Sequence, residues 1–206
     1  MLGSSASHKL LERPRMIQKS TLGALLLLPS FAYAATVLPS PPELDNKSYV
    51  LMDYETGQIL AAKNENEKLA PASMTKMMTS YIIEQKLIKG ELTDNEQVRM
   101  NESAKCRGSS TESCMYVPLN GTATVLEMLR GIIIQSGNDA SKAVAEHVAG
   151  NEGTFAHMMN QEAKRIGMVN THFMNSTGMP AEGHYSTAKD MAVLAQHIIK
   201  ESSKYY

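Results

Sequence analysis

The feature that most constrains the fold is an early β-hairpin pattern followed by helical periodicity. The runs Ser48-Tyr-Val-Leu-Met-Asp-Tyr54 and Gln58-Ile-Leu-Ala-Ala62 flank Glu55-Thr-Gly57, which predicts two antiparallel strands joined by a tight turn. Two strands alone are marginally stable in water, so the hairpin is expected to belong to a wider sheet. We therefore predict a mixed α/β (α+β) fold in which this sequence carries an N-terminal hairpin and a helical cluster, while strands that complete the sheet are missing.

Helical patterns dominate from residue 74 onward. The stretch Thr124-Val-Leu-Glu127 is a capping box, and it predicts a helix with an apolar face formed by Leu126, Leu129 and Ile133. Asn138 or Asp139 is expected to cap the helix that follows it. Further helices are predicted through 74–82, 155–166 and 187–199.

The first 34 residues have the pattern of an export signal. Basic residues precede the apolar run Leu22–Leu28, and Ala32-Tyr-Ala34 fits the small-x-small cleavage rule. The apolar run is far below the roughly 20 residues that span a bilayer, so no permanent membrane anchor is expected in this chain. Met16 is an alternative start. We predict export to the periplasm, an extended lead-in over 35–47 and a folded domain over 48–206.

The two cysteines lie eight positions apart in a loop-like stretch. Export would place Cys106 and Cys114 in an oxidising compartment, where a disulfide would stabilise the fold by roughly 2–3 kcal/mol on the loop-entropy model. Two free thiols are the alternative.

Composition and motif content exclude several classes of function. A formal net charge of −1 offers no basis for binding nucleic acid. The histidines show no metal-ligand spacing, so neither a metal nor another cofactor is expected. No Gly-x-Ser-x-Gly elbow occurs, which argues against an α/β-hydrolase.

A serine and a lysine three residues apart, Ser73 and Lys76, open the first predicted helix. Residues i and i+3 are neighbours on a helix, so the Ser73 Oγ and Lys76 Nζ atoms would meet. Free backbone N–H groups at the helix start favour a developing negative charge, and burial would lower the pKa of Lys76 towards that of a usable base. The pair therefore predicts a nucleophile with its base, or else a helix-start serine beside a solvated lysine.

Chance supplies such pairs, and this sequence has a second one at Ser186 and Lys189. Only the first pair is followed by Ser136-Gly-Asn138, at a break between two predicted helices. Ser136 could relay protons and Asn138 could bind a substrate amide. The second pair is expected to place Ser186 as a cap of the last helix.

Taken together, these motifs resemble those of the low-molecular-mass, serine-type D-alanyl-D-alanine carboxypeptidases, penicillin-binding proteins of the peptidase S11 family. The resemblance runs from about Ser48 to the chain end. It rests on Val50-Leu-Met-Asp-Tyr-Glu-Thr-Gly-Gln-Ile-Leu60, Pro71-Ala-Ser-Met-Thr-Lys76, Arg107-Gly-Ser-Ser110, Ser136-Gly-Asn-Asp-Ala140, Phe173-Met-Asn-Ser-Thr-Gly-Met179 and Ser186-Thr-Ala-Lys-Asp-Met-Ala192.

The resemblance implies a β-lactamase/transpeptidase-like serine hydrolase fold, of which 48–206 would be the N-terminal part. Ser73 would be the acylated nucleophile, with its backbone N–H in the oxyanion hole, and Lys76 would be its base. Ser136 would transfer protons and Asn138 would position the substrate. The partners implied are peptidoglycan stem peptides and, as acylating inhibitors, β-lactams. In a full-length relative the site of action would be the outer face of the inner membrane.

Two departures from the family pattern leave alternatives open. The cysteines are unexpected, and the sequence contains no Lys-Thr-Gly, so this chain is expected to be weakly active or inactive. A class A β-lactamase would need a Glu-x-x-Leu-Asn loop after Ser-x-Asn, a context that Glu152, Glu162 and Glu182 lack. A non-catalytic remnant or peptidoglycan-binding module is the third hypothesis.

Overall fold

One helix, α1 (Thr75–Ile88), runs between two halves of the core and carries most of the architecture. The computed structural model describes residues 40–108 and 112–206, so the predicted export signal and residues 35–39 of the lead-in lie outside it. The other elements are β1 (Tyr49–Met52), β2 (Ile59–Lys63), a 3₁₀ turn (Ala72–Met74), β3 (Gln97–Arg99), β4 (Thr122–Thr124), α2 (Val125–Gln135), α3 (Asn138–Ala149), α4 (Glu152–Arg165) and α5 (Ala188–Glu201).

The predicted hairpin is confirmed. Strands β1 and β2 pair antiparallel, with Tyr49 opposite Lys63 and an irregular register beside Leu51. The Asp53 carboxylate accepts hydrogen bonds from the Thr56 hydroxyl and, at 2.8 Å, from the Thr56 N–H. These bonds fix the turn and lower the pKa of Asp53. Leu51 is 57% exposed, so the hairpin has an apolar surface that the described residues do not cover.

Helix α1 is buried on most of its circumference. Ile83 and Leu87 pack with α2, α3 and the strands β3 and β4, whereas Met78, Tyr81 and Ile82 pack with α4 and α5. A helix that is buried all round is expected at the centre of a core rather than on its surface. The Tyr81 hydroxyl ties this helix to two others, because it donates to Glu201 of α5 and accepts from Arg165 of α4.

Helix α2 begins as predicted but buries a different face. The capping box between Thr124 and Glu127 is present in full. The buried apolar residues, however, are Val125, Met128, Leu129 and Ile132, and Ile133 is 53% exposed. The predicted stripe through Leu126 and Ile133 was wrong because packing against neighbouring elements sets which face of the helix turns inward. A Cβ at Gly131 would overlap the Met115 side chain, which shows how closely that side is packed.

Two predicted helix caps were also wrong. The N-cap residue of α3 is Gly137, which has no side chain that could accept a capping hydrogen bond. Asn138 already lies inside the helix. Asp139 instead accepts the Met115 and Tyr116 N–H groups, both at 2.8 Å, and so fastens that segment to α3. Helix α5 is capped by Thr187, which accepts the Asp190 N–H, rather than by Ser186.

A second sheet was not predicted. Strands β3 and β4 pair antiparallel, with Val98 opposite Ala123. Each strand has three residues and one fully inward side chain, which is too short for alternation to stand out in a sequence. The described residues thus hold two separate two-stranded sheets within a mainly helical unit, and this confirms the predicted mixed, partial-sheet architecture.

A disulfide joins Cys106 and Cys114, whose Cα atoms are 6.1 Å apart. Residues 109–111 of the enclosed loop lie outside the described part of the chain. Glu112 accepts the Arg107 N–H at 3.1 Å and lies 3.8 Å from the Lys142 ammonium of α3. Together with the Asp139 contacts, these bonds attach the loop to the start of α3.

The core is rich in methionine, whose flexible side chain fills irregular gaps. Six methionines are buried in the two clusters: Met78, Met100, Met128, Met159, Met168 and Met191. Among the helices of the described ranges, none is both long and apolar enough to cross a membrane.

We expect the double variant Cys106→Ser/Cys114→Ser to lose about 2–3 kcal/mol of unfolding free energy, because the open chain regains loop entropy when it unfolds. Urea denaturation with and without a thiol reductant measures the effect. The wild type should fall to the level of the variant in reductant, while the variant should not respond. Equal stabilities of the oxidised wild type and the variant would contradict a stabilising bond.

Candidate active site

Ser73 lies in the 3₁₀ turn that leads into α1, one residue after a strained position. Ala72 has a φ of +48°, a conformation that costs a non-glycine residue of order 1–2 kcal/mol. The Ser73 side chain is exposed, and its backbone N–H has no acceptor among the described residues. The serine therefore presents both its hydroxyl and a free donor to solvent.

Lys76 is buried and turned towards Ser73. Lys76 is only 5% exposed, and its Nζ atom lies 3.4 Å from the Ser73 Oγ atom. Nζ also donates to the Thr177 carbonyl at 2.7 Å. Burial, together with the nearby Lys142 charge, lowers the pKa of Lys76 to about 8. A solvated surface lysine is thereby excluded, and an amine with this pKa can exist as a base at mildly alkaline pH.

Ser136 lies at the end of α2 in a left-handed conformation, with a φ of +54°. It lines a groove of 400 Å³ together with Ser73 and Lys76. Its Oγ atom is buried and has no hydrogen-bond partner among the described residues. The structure thus brings three of the predicted residues to one groove and leaves the Ser136 hydroxyl available.

Asn138 does not line this groove. It is 3% exposed and lines a separate cleft of 310 Å³, which also contains Ser73 and Ser113. Its N–H donates to the Ser113 carbonyl at 2.8 Å, so the end of the disulfide-closed loop forms one wall of this cleft. Ser73 lines both cavities, one together with Lys76 and Ser136 and the other together with Asn138.

A loop of residues 175–179 forms the wall next to Lys76. The Asn175 Oδ1 atom accepts the N–H groups of Thr177 at 3.2 Å and Gly178 at 2.7 Å, and so holds the loop in a tight turn. A Cβ added to Gly178 would overlap the Ala72 carbonyl oxygen. The loop therefore packs directly beneath the residue that precedes Ser73.

Sequence reasoning missed this wall. Thr177 is 101 positions from Lys76, and no local pattern links a backbone carbonyl to a distant amine. The signal available was the stretch 173–179, which contributed to the family resemblance without any assigned role.

Glu152, at the start of α4, supports the same loop. Its Oε1 atom accepts from the Ser176 N–H at 3.0 Å and the Ser176 Oγ at 2.6 Å. None of Glu152, Glu162 and Glu182 lines either cavity at Ser73. The geometry therefore gives no support to a β-lactamase with one of these carboxylates at the deacylation site.

His184 connects Met174, which precedes loop 175–179, with Thr75 at the start of α1. The Met174 N–H donates to its Nδ1 atom at 3.3 Å, so the proton of the neutral ring lies on Nε2, which donates to Thr75 Oγ1 at 2.9 Å. Burial, with a contribution from His172, lowers the pKa of His184. Nearby, Ser186 of the second Ser-Lys pair exchanges two backbone hydrogen bonds of 2.9 Å with Leu69, which anchors the approach to Ser73.

Glu84 is a second residue that the sequence did not single out. It lies two turns after Lys76 on α1, is 2% exposed and lines the 400 Å³ groove. Burial raises the pKa of Glu84, and its Oε2 atom has no partner among the described residues. This groove thus holds both Glu84 Oε2 and Ser136 Oγ, two buried oxygens without a hydrogen bond.

One cluster of the described residues has metal-ligand chemistry. Atoms of Cys106, Glu112 and Cys114 lie within 4.8 Å of one another. Both sulfurs are joined in the disulfide, so neither is a thiolate that could bind an ion.

We expect Gly178→Ala to lose about 3 kcal/mol or more of unfolding free energy, because its φ of +84° disfavours a side chain and the new methyl group overlaps the Ala72 carbonyl. Gly167→Ala is the matched control, since Gly167 has a φ of +88° but open space around it. It should lose only about 1–2 kcal/mol. Equal losses in urea denaturation would show that Gly178 makes no close contact with Ala72.

We expect the stability of the wild type to rise with pH between about 8 and 10.5, relative to Lys76→Met. In this window the unfolded chain still binds the Lys76 proton while the folded chain has released it. At pH 7, burial of the protonated amine lowers the unfolding free energy of the wild type by up to about 3 kcal/mol. Lys76→Met does not have this cost, because its side chain carries no charge. Urea denaturation of both proteins across this pH range measures the difference. A difference that does not change with pH would contradict the lowered pKa.

The comparisons with known proteins agree with this geometry. A family model described as D-alanyl-D-alanine carboxypeptidase, Peptidase_S11, matches residues 35–206. The D-alanyl-D-alanine carboxypeptidase DacA of Haemophilus influenzae is 37% identical over 93% of this chain and 50% of its own length. DacF of Bacillus subtilis is 47% identical over 76% of this chain and 40% of its own length.

Among solved structures, penicillin binding protein 5 from Haemophilus influenzae superimposes with a TM-score of 0.77 at 40% sequence identity, over 82% of this chain and 50% of that one. The predicted β-lactamase/transpeptidase-like fold class is thereby confirmed. The chain spans about half the length of the curated relatives it matches. It belongs to the peptidase S11 family of D-alanyl-D-alanine carboxypeptidases.

Proposed function

We propose that this chain carries the nucleophile and the general base of a serine-type D-alanyl-D-alanine carboxypeptidase. The observation that supports it most strongly is the buried Lys76 amine, 3.4 Å from the exposed Ser73 hydroxyl, with a pKa of about 8. An ordinary lysine is protonated at neutral pH and cannot accept a proton from serine. A buried one that deprotonates near pH 8 can do so.

The reaction proposed is removal of the terminal D-alanine from a peptidoglycan stem peptide. The Ser73 Oγ atom attacks the D-Ala-D-Ala carbonyl carbon while its proton passes to Lys76 Nζ. The free Ser73 N–H is the donor proposed for the oxyanion that forms. As the C–N bond breaks, the proton held by Lys76 passes through the Ser136 hydroxyl to the departing D-alanine nitrogen, which leaves Lys76 neutral again. Water then attacks the ester carbonyl while Lys76 takes its proton, and that proton returns to the Ser73 oxygen as the acyl group leaves.

The two cavities suggest how the substrate lies. Asn138 binds the peptide amide from the 310 Å³ cleft, while Lys76 and Ser136 act from the 400 Å³ groove. A β-lactam offers the same carbonyl within a strained ring, so it is expected to acylate the same serine.

We further propose that the protein is exported and works in the periplasm. The charge, apolar run and cleavage pattern of residues 1–34 support this, as does a disulfide that an oxidising compartment would preserve.

We expect a fluorescent penicillin to label the wild-type chain slowly, because the sequence contains no Lys-Thr-Gly, and we expect Ser73→Ala to lose the label. Ser103→Ala, which removes an exposed hydroxyl from a loop, is the matched control and should label like the wild type. Lys76→Met should label about a hundredfold or more slowly, since it lacks the general base. Gel fluorescence over time gives the rates.

Label that survives in Ser73→Ala would overturn the assignment of the nucleophile. A folded wild type without any label would overturn catalysis by this chain and would support an inactive fragment, the non-catalytic alternative.

A further inference from the structure

We propose that Glu152 is a positioning residue for the Ser73–Lys76 pair and that it acts through the backbone of loop 175–179. The proposal rests on the function proposed above and adds a residue to its machinery. Glu152 lines neither cavity at Ser73, so its role is to hold other groups in place.

The first step is the contact between Glu152 and Ser176. One carboxylate oxygen, Oε1, accepts two hydrogen bonds from Ser176, at 3.0 Å from the backbone N–H and at 2.6 Å from Oγ. Ser176 is fully buried. Hydrogen bonds to an ionised acceptor are about twice as strong as neutral ones. Without this acceptor, both Ser176 donors would be buried and unpaired.

The second step runs from Ser176 to the reacting amine. Thr177 follows Ser176 directly, and its carbonyl accepts from Lys76 Nζ at 2.7 Å. The Ser176 carbonyl accepts from Thr79 Oγ1, also at 2.7 Å, so two consecutive carbonyl groups of the loop accept hydrogen bonds from α1. A displacement of Ser176 therefore moves the acceptor that orients Nζ towards Ser73.

The third step is the rigidity of Glu152 itself. It is the first residue of α4, where the positive end of the helix dipole favours a carboxylate. Asn151 caps this helix by accepting the Thr154 N–H at 2.8 Å. Helix α4 in turn packs against α1 through Phe155 and Met159. Glu152 thus connects the loop to a helix that is already fixed against the helix carrying Lys76.

The chemistry separates two substitutions at this position. In Glu152→Gln the amide oxygen can still accept both Ser176 bonds, whereas Glu152→Ala leaves both donors without a partner. Ser176→Ala is a milder change that removes only the Oγ bond. Glu102→Ala is the matched control, because it removes an exposed carboxylate whose nearest cation is 3.9 Å away.

Two measurements test the proposal in the full chain. The first is the rate of acylation by a fluorescent penicillin from pH 6 to 10. The second is the titration of the Lys76 side chain by NMR with ¹³C-labelled lysine, with Lys76→Arg to assign the signal. The second measurement does not depend on catalysis.

We expect Glu152→Ala to acylate about ten- to a hundredfold more slowly, since small displacements of reacting groups have effects of this size. Its Lys76 titration should move upward from about 8, because a displaced amine regains water. Ser176→Ala should change both readouts in the same direction by less. Glu152→Gln and Glu102→Ala should resemble the wild type.

Wild-type titration of Lys76 in both Glu152→Ala and Ser176→Ala would overturn the proposal. A Glu152→Gln variant as impaired as Glu152→Ala would also overturn it, since the acceptor geometry is then not what matters. If the wild type is not acylated at all, the proposed function fails, while the NMR titration still decides the role of Glu152. If Glu152→Ala does not fold, Ser176→Ala and Glu152→Gln decide it.

Discussion

Burial of one amine is the constraint around which this protein is organised. Lys76 must keep Nζ next to Ser73 without enough water to hydrate its charge, and the Thr177 carbonyl provides a hydrogen-bond acceptor there. That arrangement needs packed protein on several sides of α1, which explains why this helix is buried nearly all round. The helical cluster is therefore a scaffold that stabilises a lysine in an environment that disfavours its protonated form.

The part of the site that sequence alone could predict is the part that is local along the chain. Ser73 and Lys76 are one helical turn apart, so their spacing already places the two side chains together. The turn at Asp53 and the capping box at Thr124 were predictable for the same reason, since each hydrogen bond closes within three residues. In these elements, the residues that contact each other are also close together along the chain.

What the sequence could not predict depends on packing between distant segments. The Thr177 carbonyl, the Glu152 support and the Asp139 contacts with 115–116 join residues that no periodicity relates. The buried face of α2 was misassigned because several of its residues are apolar, and only packing decides which of them turn inward. The β3–β4 pair lies below the length at which alternation is informative.

The distribution of methionine has a consequence for chemical damage. A thioether buried in a close-packed core is shielded from oxidants, as are the six core methionines. Met74, next to Ser73, is 51% exposed, Met174 is 43% exposed, and Met179, in the cleft beside Asn138, is 39% exposed. A sulfoxide at Met179 adds a polar oxygen to the cleft, and one at Met74 adds it next to Ser73, while the core is still intact. Oxidation of this protein would therefore begin at the exposed methionines, two of which lie next to Ser73 or in its cleft, and the fold would outlast the original surface of that cleft.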